Sequence, residues 1–154
     1  MKPLAAIDPG RSKCGLVFSD PAATQIVVAG VLAPEACLEQ IQRWRQQTGG
    51  TTVVLGDGTG SRHWQTCLKQ QQLTVILVPE SGSTLAARRR YWQLEPARGW
   101  RRLLPEGMRL PPRDVDDVVA QLLLERHLGR SLERPADLEL IPRTLPAPKT
   151  WPAR

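Results

Sequence analysis

Four carboxylates occupy positions where a side chain has to be positioned rather than merely dissolved. The stretch AAIDPGRSKCGLVFSD (5–20) ends an apolar run in Asp8, turns at Pro9-Gly10 and opens a second apolar run at Gly15. Glu80 closes another apolar run, VILVPE (75–80), in the same way. Asp114 and Asp117 stand at the start of DVDDVVAQLLLERHLG (114–129). Three residues apart on a helix, they are separated by about 60° and share a face. A buried carboxylate without a partner is costly, so each needs a basic side chain or a metal ion. Taken singly, each has an ordinary role. Asp8 fits an Asp-Pro-Gly turn, Glu80 has many arginines to pair with, and Asp114 suits the positive end of a helix dipole. Taken together at strand ends and a helix start, they predict convergence. If the first and fifth strands are neighbours, Asp8 and Glu80 meet, and the last helix presents Asp117 and Asp114 to the same point. Oxygen donors of this kind suit Mg²⁺ or Mn²⁺. A pair of such ions clamps the attacking and leaving oxygens of a phosphodiester. His63 and His127 are the only histidines, which argues against a histidine-based metal site.

The charge of the chain points to the same substrate class. The 154 residues carry a formal net charge of +6, a balance that favours polyanions, nucleic acid first. The segment RRRYWQLEPARGWRR (88–102) concentrates it in Arg88, Arg89, Arg90, Arg98, Arg101 and Arg102, with Tyr91, Trp92 and Trp100 between them. Arginines hold backbone phosphates and aromatic faces stack unpaired bases. The same tryptophans fit equally well as core residues. Arg11 and Lys13 flank Asp8, where they meet a phosphate or neutralise the acidic cluster. The loop GDGTGS (56–61), with hydroxyls at Thr59 and Ser61 ahead of a helix, is either a tight turn or a phosphate cradle of backbone N–H groups. It lacks the Lys-Ser/Thr ending of a Walker loop.

The elements that must position these groups follow from pattern. LAAID (4–8), GLVFS (15–19) and QIVVAGVL (25–32) read as an antiparallel meander. PEACLEQIQRWRQQ (34–47) places Cys37, Ile41 and Trp44 on one helical face. TTVVLG (51–56) and LTVILVPE (73–80) read as strands, separated by a helix over 62–72. Helices are expected over 83–95, with Ser83 as N-cap, and over 114–129, ended by Gly129. Residues 96–113 form a Gly- and Pro-punctuated connection. The Pro-rich tail, 130–154, is expected to be irregular, with LELI (138–141) able to add an edge strand. Cys14, Cys37 and Cys67 form no CxxC pair and read as small core residues of a reduced, cytoplasmic protein. No apolar run is long enough for a membrane span, and no leader segment is expected.

In order, these motifs resemble the RNase H-like fold, in particular its RuvC and YqgF resolvase-like branch. AIDPGRSKCGLVFSD resembles that family's first motif, VPESGSTLAARRRYW its central glutamate motif and DVDDVVAQLLLERHL its terminal helix, so the likeness covers residues 4–129. It departs from the YqgF pattern at Pro79 and Ser81, which flank the glutamate. The resemblance implies an RNase H-like domain (1–129) with a mixed five-stranded sheet, three antiparallel strands then two parallel, flanked by helices. It implies a Mg²⁺- or Mn²⁺-dependent nuclease with Asp8, Glu80 and Asp117 as ligands and Asp114 beside them. Ser83, Thr84 and Arg88 fall in the central motif and, with Arg11, Lys13, Thr59, Ser61, Arg89, Arg90, Arg101 and Arg102, are the expected nucleic-acid contacts. The implied substrates are branched DNA, as in recombination, or precursor ribosomal RNA, and a homodimer is compatible with the motifs. Two other readings stay open: a non-catalytic nucleic-acid binder on the same fold, and an actin-like nucleotide-binding module that uses DPG and GDGTG on phosphates.

Overall fold

A computed structural model of the chain describes residues 1–142. It is an α/β fold built on one six-stranded mixed sheet. Three strands, β1 (Leu4–Asp8), β2 (Cys14–Ser19) and β3 (Ile26–Leu32), form the expected antiparallel meander. β4 (Thr52–Gly56) and β5 (Thr74–Val78) add in parallel beyond β1. A sixth strand, β6 (Glu139–Ile141), pairs in parallel with the outer edge of β3. The spatial order is β5-β4-β1-β2-β3-β6. β4 therefore lies between β1 and β5, and the first and fifth strands are not neighbours.

Helices cover both faces because the inner strands are apolar on both. α1 (Pro34–Thr48) and α2 (Ser61–Gln70) cover one face, where Ala5, Ile7, Leu16, Phe18, Val53 and Leu55 meet Ile41, Trp44, Trp64 and Leu68. The alternate residues Ala6, Val17, Ala29 and Val54 point to the other face. There they meet α3 (Ser83–Leu94) and α4 (Asp116–Leu128) through Ala87, Val118, Val119, Leu123 and Leu124. Two short 3-10 turns, Gly99–Leu103 and Glu106–Met108, occupy the connection between α3 and α4. Gly82, in the left-handed region, rather than Ser83, caps α3. A glycine takes that backbone without steric cost, whereas Ser83 turns inward and is buried.

Part of the predicted tail belongs to the domain. Leu132 is fully buried, Ile26 N donates to Glu133 O, and β6 follows. Residues 143–154 lie outside the described residues, so the expectation of an irregular segment there is not addressed.

Sheet and helix approach closely at Gly15 on β2. A methyl at this position would overlap the backbone of Asp116 at the start of α4. Neither partner is the free end of a side chain, so relief requires the helix to move. Gly15→Ala is expected to destabilise the fold by about 3 kcal/mol, near the top of the range for overpacking, measured by urea unfolding. Stability within a few tenths of the parent would show that α4 is not seated on Gly15.

Candidate active site

The carboxylates gather at the carboxyl ends of the parallel strands, as the topology of an α/β sheet favours. Asp8 is the last residue of β1 and pairs with Gly15. Glu80 lies two residues beyond β5, and its backbone N–H donates to the Asp57 carboxylate at 3.0 Å. To approach Asp8, the Glu80 side chain must pass over β4. It can do so because β4 ends in Gly56. A methyl on Gly56 or on Gly58 would overlap the Glu80 carboxylate, and the Gly58 backbone hydrogen-bonds it. The glycine loop therefore seats the chain's own carboxylate. Asp57, which pattern reading did not single out, orients the backbone beneath it.

The structure gives the adjacent residues Asp116 and Asp117 different surroundings, with Asp117 held in ion pairs and Asp116 beside Lys13. α4 begins at Asp116, two residues later than the apolar pattern suggested. The Asp116 backbone lies against Gly15, the strand partner of Asp8, and the Asp116 charge adds to the repulsion on Asp8. Asp117 points about 100° away around the helix and is fully buried. Arg113 Nη1 holds one of its oxygens at 2.8 Å, and Arg134 Nη2 grips the other. Both of its oxygens are engaged by guanidinium groups, which ties the start of α4 to Arg113 and Arg134. Asp114 stays half-exposed and pairs with Lys13 at 2.8 Å. Lys13 also reaches Asp116, at 3.4 Å, and so acts as the internal counter-ion of the cluster.

Burial and repulsion mark the electrostatics. The Asp8 carboxyl is pushed up to about 7, first by desolvation and then by the charges of Glu80 and Asp116, with Lys13 opposing. Desolvation also raises Glu80, whereas the Gly58 hydrogen bond lowers it. Glu80 Oε1 is buried and has no hydrogen-bond partner. Among the described residues, no three His, Cys, Asp or Glu side chains stand as a ready-made metal site.

The predicted contact residues divide. Arg88, Arg89 and Arg102 are exposed, as are Arg11, Thr59 and Thr84, whereas Ser61 and Arg101 are partly covered. Arg90 is not a surface cation. It pairs with Glu125 at 3.3 Å and reaches Leu132 O, inside the network that holds residues 131–134 against α4. Ser83 is buried and its N–H donates to Glu80 O, which shapes the turn after the glutamate. Tyr91 and Trp92 are core residues, and the Trp92 indole donates to Arg109 O at 3.2 Å. Trp100, by contrast, is 63% exposed.

No protein-family model matches the chain, and no curated protein matches it significantly.

Two expectations follow. Removing Asp117 strands two guanidiniums in a buried setting, so Asp117→Ala should cost about 3–5 kcal/mol, whereas Asp116→Asn should be neutral or mildly stabilising. Urea unfolding of both variants checks the ranking, and equal costs would place the two aspartates in equivalent surroundings. The second expectation concerns pH. The folded state binds a proton at Asp8 up to about 7, whereas an unfolded aspartate releases it near the ordinary value of about 3.9. This group's contribution is therefore favourable at low pH and is lost as pH rises through about 7. Asp8→Asn should raise the melting temperature near pH 8, and the gain should shrink toward pH 5. A gain independent of pH would mean that Asp8 is not the group titrating.

Proposed function

We propose that this chain is a Mg²⁺- or Mn²⁺-dependent nuclease acting on structured nucleic acid, with Asp8, Glu80 and Asp116 as the metal-binding carboxylates. One observation carries the reading: three carboxylates from three separate elements lie toward one end of the sheet, where Gly56 and Gly58 leave room for the Glu80 carboxylate and Gly15 admits the backbone of Asp116. A chain that needed only ion pairs has arginines enough to satisfy them, as Asp117 demonstrates. Leaving Asp8 under the field of two like charges is a cost that a divalent cation offsets. The donor set is entirely oxygen, and the buried Glu80 Oε1 has an unused lone pair. Both suit a hard cation. When bound there, Mg²⁺ or Mn²⁺ supplies a water of lowered pKa and counter-charge for the departing oxygen.

The protein's own groups do the positioning. Gly58 and Asp57 fix the Glu80 segment, the Gly15 contact fixes Asp116, and the β1–β2 pairing fixes Asp8. Lys13 balances Asp114 and Asp116 and stands where an approaching phosphate would meet it. Arg88, Arg89 and Arg102 supply exposed cations for the nucleic-acid backbone. The seating of Glu80 on Gly56 and Gly58 weakens the actin-like alternative, because a carboxylate on that loop repels a nucleotide phosphate.

The test is a Mn²⁺-dependent cleavage panel of four-way junction, duplex, RNA–DNA hybrid and structured RNA. Asp8→Asn and Asp116→Asn are each expected to lower the rate on the best substrate by about a hundredfold or more, since even outer-shell partners of a catalytic metal cost 10–100-fold. Asp114→Asn should cost much less. Failure of the parent chain to bind either ion by calorimetry would remove the nuclease reading and leave a nucleic-acid binder on the same fold.

A further inference from the structure

The connection between α3 and α4 leaves apolar surface in solvent while being held firmly in place. Four of the eight exposed large hydrophobic side chains among the described residues lie in it: Trp100, Leu103, Met108 and Leu110. The segment is not loosely draped. Arg109 donates to Leu104 O at 2.9 Å and to Arg102 O at 3.3 Å, so its guanidinium closes the two 3-10 turns on each other. The Trp92 indole anchors Arg109 O to the core, and Arg113 at the far end is locked to Asp117. Trp100 is thus presented, not frayed. The other described tryptophans, Trp44, Trp64 and Trp92, are all buried.

The chemistry beside Trp100 selects an occupant. The Arg101 guanidinium lies over the indole, 5.0 Å from its centroid, and covers one face. Arg98 and Arg102 stand alongside, and Arg88 and Arg89 are exposed on α3 just before. A second copy of this chain would bring the same arginines, with a net charge of +6 on each partner, so like charge opposes self-association here. A partner that is anionic and also offers flat apolar faces is a nucleic acid with unpaired bases. Within a duplex those faces are covered by neighbouring bases.

We propose that Trp100 and Arg101 form a stacking platform for an unpaired nucleobase, the base lying on the open indole face and its phosphate meeting Arg101. The platform makes single-stranded or junction nucleotides the preferred part of the substrate. This inference rests on the nucleic-acid reading above but not on the carboxylate cluster, and it can be tested without metal.

The experiment measures binding in EDTA of a fluorescein-labelled oligo-dT strand and of a fully paired duplex of the same length. The proteins are the parent chain, Trp100→Ala and Trp100→Phe, with folding checked by circular dichroism. One stacked base corresponds to roughly a 5- to 150-fold change in affinity. Trp100→Ala should therefore weaken binding of the single strand by about tenfold or more, Trp100→Phe should retain most of it, and the duplex should be unaffected. Single-strand affinity unchanged in Trp100→Ala, or an equal loss on both probes, overturns the platform while leaving nucleic-acid binding in place. If the parent chain binds neither probe, the nucleic-acid reading itself fails. If Trp100→Ala instead abolishes self-association seen by sedimentation, the surface meets a second copy and the proposal is wrong.

Discussion

The seating of α4 on the sheet is the constraint on which the rest depends. The helix crosses the apolar face formed by Ala6, Val17, Ala29 and Val54 and starts directly over Gly15. Its first turn carries two adjacent aspartates with opposite fates. Asp116 faces the strand ends, where repulsion accumulates, and Asp117 faces two guanidiniums, where charge is neutralised. Through Asp117 and Gln121 the helix holds Arg134, and through Glu125 it holds Arg90 and the backbone N–H of Leu132. One buried polar face of α4 thus binds α3, the arginine-rich connection and the chain leading to β6. A buried ionic network of this kind adds little net stability over a well-packed apolar one, but removing one partner is severe. Its consequence here is register: helix rotation that broke the Asp117 clamp would also swing Asp116 away from Asp8.

Much of this was legible in the residues. The meander, the two parallel crossovers, the helices and the mixed sheet followed from alternation, β-branched runs and punctuation. Asp8 and Glu80 stand out in the sequence because a carboxylate ending an apolar run is physically conspicuous. The different surroundings of Asp116 and Asp117 are not legible in the sequence because helix boundaries are poorly written in an apolar pattern. Moving the start of α4 from 114 to 116 turns a 60° pair into a choice between adjacent residues. A cue was present, since Arg113 and Asp117 are spaced i, i+4 as an ion pair on a helix would be. Arg134, the second clamp, lies in a Pro-rich stretch that pattern reading set aside as tail.

The placement of β4 between β1 and β5 was not legible from strand order alone, and it changes what the glycine loop means. With the two carboxylate-bearing strands adjacent, GDGTGS would be free to cradle a phosphate. With β4 between them, the loop becomes the floor over which Glu80 extends, and Gly56 and Gly58 are required because any side chain would fill the carboxylate's place. The same argument separates the arginines. Arg90 and Arg88 are two residues apart on α3, hence on different sides of the helix. One is consumed by Glu125 and the other is left in solvent.

An acidic cluster and a basic arm coexist on this chain. The cluster around Asp8 repels phosphate unless cations intervene, yet the chain is strongly basic. The structure carries the two on different segments of the chain. Lys13 balances the carboxylates Asp114 and Asp116 locally, while the free arginines are carried on α3 and on the 3-10 turns beyond it. Arg109 and Trp92 fix that arm internally, and Arg113 ties its end to Asp117, the residue next to Asp116. The arm is consequently a segment whose anchor is the first turn of α4. The placement of the basic arm and the local carboxylate geometry are thereby set by one helix, through two neighbouring aspartates that point in different directions.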